Sequence, residues 1–161
     1  MFLLARAITY ATLFIGLVLV FVPTRLVAGP VSAWPETPGP LHVAGLVLGA
    51  AGGSLAISCV LTFVFVGRGT PAPFDPPRRL VARGPYAFVR NPMYLGAAAA
   101  ILGAALFYQS AALLVYAAAF LLVAHLFVVW YEEPTLRRTF GGEYDDYCRR
   151  VGRWSPRGRG R

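Results

Sequence analysis

The sequence predicts an all-α integral membrane protein: about four transmembrane helices, followed by a C-terminal amphipathic cytoplasmic helix. Three observations predict it. Of 161 residues, 57% are hydrophobic and only 14% are charged, well below the roughly 25% of an ordinary soluble domain. Two stretches, 41–66 and 94–131, carry no formal charge at all. The charge that exists is lopsided, with 15 basic residues, every one an Arg, against seven acids. The length allows a single domain, 1–161. This composition excludes a disordered chain and an ordinary soluble enzyme.

The first apolar segment runs over about 7–22. The second is 41–66, long enough to cross a bilayer, which takes about 20 residues. The third stretch, 94–131, is too long for one crossing and breaks at Gln109-Ser110. It reads as a helical hairpin, 92–108 and 111–131. Helices are required because lipid cannot satisfy an open backbone. The segment 67–93 carries five Arg and the tail from Glu132 carries eight, whereas 23–40 has Arg25 alone and the hairpin tip has none. Basic loops stay inside, so 67–91, 132–156 and both termini are expected in the cytoplasm. A cleaved leader is the rival reading of the first segment, with Val31-Ser32-Ala33 as its cleavage motif. Phe2-Leu3-Leu4 ahead of Arg6 disfavours it. The Pro- and Gly-rich 29–40 is a connector.

The Arg excess fits span-flanking residues better than a nucleic-acid surface, so no nucleic-acid partner is expected. Cys59 and Cys148 lack partners at ligand spacing, and no metal site is indicated. No Asp, Glu or Arg lies deep in a span, which weighs against a transporter. His125 is the titratable group inside one, most simply a packing residue.

Chemistry-bearing residues gather in the two cytoplasmic segments. Pro92 suits the first turn of a helix and Asn91 its N-cap. The free N–H groups of that turn would attract an anion. Glu132-Glu133 follow Trp130-Tyr131 at a helix C-terminus, where acids are locally unfavourable. That placement points to a cation or hydroxyl to be held. In the tail, Leu136, Phe140, Tyr144, Tyr147 and Val151 fall on one helical stripe. The expectation is one amphipathic helix over 134–151 lying on the membrane, with Gly141-Gly142 a candidate break. Beyond it, 156–161 reads as a disordered basic tip.

Leu80-Val81, Gly84, Tyr86, Arg90-Asn91-Pro92, Tyr94 and Gly96 precede an apolar hairpin. Glu132-Glu133, Leu136, Phe140-Gly141, Tyr144 and Tyr147 follow it, and Arg153-Trp154 and Pro156 close the pattern. In this order the chain resembles the integral-membrane methyltransferases that include isoprenylcysteine carboxyl methyltransferase and the phospholipid methyltransferases. The resemblance covers about Leu80 to Pro156. It implies a pocket for S-adenosylmethionine, with S-adenosylhomocysteine as product, lined by Leu80, Val81, Tyr86, Asn91, Pro92, Met93, Tyr94 and Glu132. It implies a lipophilic or lipid acceptor that enters from the bilayer: an isoprenylcysteine-like carboxylate, a phospholipid amine or a small thiol. The closing Arg-Trp-x-Pro is frequent in bacterial members, and the resemblance implies an integral protein of a bacterial inner membrane. Arg90, Glu133 and His125 are the candidates for catalysis, the last two as proton acceptors for an amine.

Two departures stand out. The family's His is Asn91 here, which can cap and hydrogen-bond but loses imidazole protonation chemistry. Carboxyl-methylating members carry Arg one turn before the acidic pair, where this chain has Phe127 and Val128. That removes the natural clamp for a prenylcysteine carboxylate, unless Arg83 or Arg90 takes its role. Two other readings follow from these gaps: a non-catalytic membrane subunit with a relic pocket, and a sterol-type membrane reductase using NADPH.

Overall fold

The computed structural model describes residues 9, 12–13, 15–27, 37–67 and 79–157. The expectations for the leader-like start, for Val31-Ser32-Ala33, for Arg68 and Arg78, and for the last residues of the basic tip lie outside them. The described residues are helical, and their one extended pairing is an isolated parallel bridge between Val89 and Gly152.

Helix α1 (Gly16–Leu26) is wound wide, as a π-helix, through Phe21. It continues past the expected end at Val22, because Pro23 falls in the first turn of the regular segment, where it breaks no hydrogen bond. Helix α2 (Pro40–Gly67) has 28 residues, roughly 40 Å at the helical rise. Pro40 again opens it, and the Gly39 N–H donates to His42 Nδ1 at 3.1 Å, closing its first turn.

Helix α3 (Pro92–Phe107) and helix α4 (Ala111–Phe140) form the hairpin. Its turn falls on the polar break: Gln109 adopts φ 48° and the Ser110 hydroxyl caps α4 by accepting from the Leu113 N–H. Helix α4 has 30 residues and contains a π-helical turn at Val128–Glu132. Such wide turns are frequent near functional sites. Helices α2 and α4 are long and apolar enough to cross a membrane, while α1 and α3 are shorter apolar helices.

Helices α2 and α3 run antiparallel and touch backbone to backbone. A Cβ on Gly52 would lie 2.5 Å from the Gly96 carbonyl, and one on Gly45 would lie 2.6 Å from that of Gly103. Small residues let apolar helices approach this closely, and dispersion then holds them without a hydrophobic driving force. The buried interior continues in the same style, with Ala56, Ala97, Ala98, Ala105, Ala117 and Ala124. Many large side chains point outward instead: Val47, Ile57, Phe65, Val115, Leu122 and Val123 are all exposed. That inversion suits an apolar solvent. Tyr116 fastens α1 to α4 by donating to the Val18 carbonyl at 3.0 Å.

The tail departs from the expected single helix. It breaks at Gly141, whose φ of +53° is left-handed, and a separate helix α5 (Gly142–Arg150) follows. Its apolar side is not free to lie on a bilayer. Tyr144, Tyr147 and Val151 are buried together, with Leu80, Ala82, Leu136 and Phe140 packed against them.

Candidate functional site

The site forms where the ends of α2, α3 and α4 meet the 79–91 loop and α5. The loop is short of regular structure and is held by side chains. Gly84, at φ +60°, opens a single 3-10 turn over Gly84–Ala87. The turn carries Tyr86 inward, where it packs with Val81 and Cys59 and meets the Phe63 ring edge-on at 5.2 Å. Tyr147 of α5 donates to the Tyr86 carbonyl at 2.6 Å, locking the turn from the other side.

Next along the chain, a strap crosses from the far side. The Arg90 N–H donates to the Gly152 carbonyl at 2.9 Å. Asn91 stands at the N-cap of α3, yet its side chain does not cap it. It turns away and donates from Nδ2 to the Arg153 carbonyl at 3.2 Å. Asn91 thus serves the strap and leaves the first turn of α3 without a side-chain cap, while Pro92 is fully buried.

Between these elements lies a small pocket, ≈ 410 Å³ of empty space once its open mouth is counted. Its apolar lining is Phe63, Leu80, Val81, Tyr86 and Leu136. Its polar lining is Arg90, Asn91, Glu132, Glu133, Tyr144 and Tyr147. Five of the eight expected ligand-binding residues thus line one cavity: Leu80, Val81, Tyr86, Asn91 and Glu132. Met93 packs behind it against the Cys59–Tyr86 cluster. Tyr94 also lies outside the lining, but its hydroxyl donates to Glu132 Oε2 at 3.1 Å.

The acidic pair divides into two roles. Glu133 is 8% exposed and receives both Nε and Nη2 of Arg153, at 2.7 and 2.9 Å, with Arg90 Nη2 at 3.3 Å. Burial alone would raise its carboxyl. The Arg153 hydrogen bonds and the charges of Arg90, Arg153 and Arg137 outweigh that and hold it below its ordinary range. Glu132 stands just past the apolar run, which ends at Tyr131. The residue is partly exposed, but its carboxyl sits deep among protein atoms and has Tyr94 as its hydrogen-bond partner, with no cation beside it among the described residues. Burial pushes it up to about 6; the Tyr94 hydrogen bond lowers it in part and the Glu133 charge raises it.

His125 is placed apart. Its Nδ1 accepts from Trp154 Nε1 at 3.0 Å, and it does not line the pocket. With that lone pair engaged, the neutral ring carries its proton on Nε2. Of the three candidates for catalysis, Arg90 and Glu133 are brought together, and His125 is not with them.

The sequence pattern does not disclose four walls of the pocket. It shows Phe63 only as part of a span. It shows Leu136, Tyr144 and Tyr147 as a stripe facing the membrane, although two phenols on such a stripe already signal hydrogen-bonding work. Arg153 stands in the sequence only as part of a closing motif.

A family model described as phospholipid methyltransferase matches residues 40–143. No curated protein matches the chain. No solved structure matches it either. The matched region runs from the start of α2 through the acidic pair and contains most of the pocket, leaving α1 before it and most of α5 and the strap after it. Because it covers well over half of the sequence, the chain belongs to the phospholipid methyltransferase family, a family of membrane methyltransferases.

Proposed function

We propose that this protein moves a methyl group from S-adenosylmethionine to a lipid-borne acceptor at the cytoplasmic side of the membrane. In this reading α1–α4 are four spans with both termini inside, as the Arg distribution favours. The observation that carries it is Glu132: a partly exposed residue whose carboxylate, on a pocket wall, has a phenol as partner and no cation beside it among the described residues. Such a group is disfavoured while charged, and a positive ligand relieves it.

The residues fit the cofactor. Glu132 takes its ammonium, and the Phe63–Tyr86 pair offers an aromatic wall for its base. When bound, S-adenosylmethionine supplies an electrophilic methyl group on a sulfonium. The chain's own contribution is positional: the strap fixes the 79–91 loop against α4, and the pocket walls exclude water from the transfer.

An amine acceptor is favoured over a prenylcysteine carboxylate. The family description names phospholipid, and Phe127 and Val128 provide no Arg clamp. Glu133 is committed to Arg153, and His125 to Trp154. Neither is left as a ready base, so the amine sheds its proton elsewhere before the methyl group is transferred. Glu132→Ala should weaken S-adenosylhomocysteine binding by roughly 1.5–3 kcal/mol, read by calorimetry on the detergent-purified protein. Unchanged affinity in a folded variant would remove Glu132 from the site and this reading with it.

A further inference from the structure

The polar lining of the pocket is unbalanced in a specific way. Two guanidinium groups, Arg90 and Arg153, share one carboxylate, Glu133. Arg153 takes it with two short hydrogen bonds, at 2.7 and 2.9 Å. Arg90 is left with a contact of 3.3 Å to the same oxygen and one of 3.4 Å from Nη1 to the Tyr144 hydroxyl. Its remaining Nη1 partner is the Cys148 sulfur, a weak acceptor. The Arg90 side chain is 10% exposed, and its Nε is buried with no acceptor. A guanidinium so deeply placed and so poorly matched has donor capacity left for whatever enters the cavity it lines. Glu132, on the same cavity, accepts from Tyr94 and has no cation beside it among the described residues.

From this we infer that Arg90 is an oxyanion-binding residue and that the pocket is built for a zwitterion, with Glu132 receiving the cation and Arg90 a carboxylate or phosphate oxygen. The inference rests on the methyl-transfer reading above and adds the second half of the recognition. Two ligands of that reaction carry such a pair: the amino-acid end of the cofactor, and an aminophospholipid headgroup. The shared chemistry is an ammonium next to an oxyanion.

The test uses the whole protein in mixed micelles. Wild-type protein is titrated with S-adenosylhomocysteine and with its decarboxylated counterpart. Methyl transfer is then measured on phosphatidylethanolamine and on the same lipid with its phosphate neutralised as a methyl triester. If the cofactor supplies the oxyanion, decarboxylation weakens binding roughly tenfold to a hundredfold. The loss shrinks in Arg90→Gln and is partly restored in Arg90→Lys. If the lipid supplies it, the triester raises KM by a similar factor with kcat kept, and Arg90→Gln abolishes the difference. Should Arg90→Gln fail to fold, the wild-type comparison alone decides. Equal behaviour of both neutralised ligands and their parents overturns the inference while leaving the methyltransferase reading in place. If wild-type protein binds no S-adenosylhomocysteine, that reading falls, and this inference with it.

Discussion

Glu132 sets a pH dependence whose sign follows from its environment. Its carboxyl is held at about 6, above the ordinary 4.5. Without ligand the fold therefore favours the protonated form more than the unfolded chain does, although the group is still ionised at neutral pH. This group's contribution to stability is present below the ordinary value and is lost as pH rises through about 6. Glu132→Gln should thus raise the melting temperature of the ligand-free protein at pH 7.5, by the equivalent of roughly 1–2 kcal/mol, while weakening cofactor binding. Thermal unfolding of both proteins from pH 5 to 8 checks it, since the gap should close toward pH 5. Affinity for S-adenosylhomocysteine should fall in the same interval as the carboxylate is neutralised. A pH-independent affinity would contradict the pairing. Asn91 shows a different lesson. Its position at the start of α3 was readable, but its hydrogen-bond partner, the Arg153 carbonyl, lies far along the chain, and no local rule points to it.

Among the elements, the α2–α3 pair is the most demanding fit. Gly52→Ala places a Cβ against the Gly96 carbonyl, backbone that cannot yield, whereas Gly53 has nothing within 4 Å. Gly52→Ala should therefore destabilise by about 1–3 kcal/mol, and Gly53→Ala should be neutral or slightly stabilising through helix propensity. Unfolding in detergent, followed by circular dichroism, separates them; equal effects would contradict the packing. The hairpin break at Gln109-Ser110 was legible because a polar pair interrupts an uncharged run. The split of the tail was only half legible. Gly141-Gly142 marked a break, but an amphipathic stripe cannot say whether its apolar side meets lipid or protein. Here Leu80 and Ala82 cover it, which turns a surface helix into a wall of the site.

For the whole molecule, the order of apolar segments and Arg-rich flanks carried the fold class, and two separated motifs carried the location of the pocket. What stayed hidden depends on three-dimensional closure: the reach of Phe63 from the end of α2, and the bidentate grip of Arg153 on Glu133. The proposed four-span arrangement makes a definite topological prediction. With Cys59 and Cys148 replaced by Ser, single cysteines at Thr37 and Gln109 should react with an impermeant maleimide from outside intact cells. A cysteine at Arg157 should react only after the membrane is opened. Labelling of all three from one side would reverse or remove a span.

The strap has a consequence for the order of synthesis. Its residues, Gly152 to Trp154, leave the ribosome after every helix that spans or walls the site, yet they hold Arg90, Asn91, Glu133 and His125 in place. The nascent chain can insert its bundle while the pocket is still open at one side. Binding competence then arrives in a single late event. A chain stopped at Arg150 should accumulate in the membrane at near-normal levels and bind no S-adenosylhomocysteine, which makes the strap a natural mark by which a finished molecule differs from an inserted one.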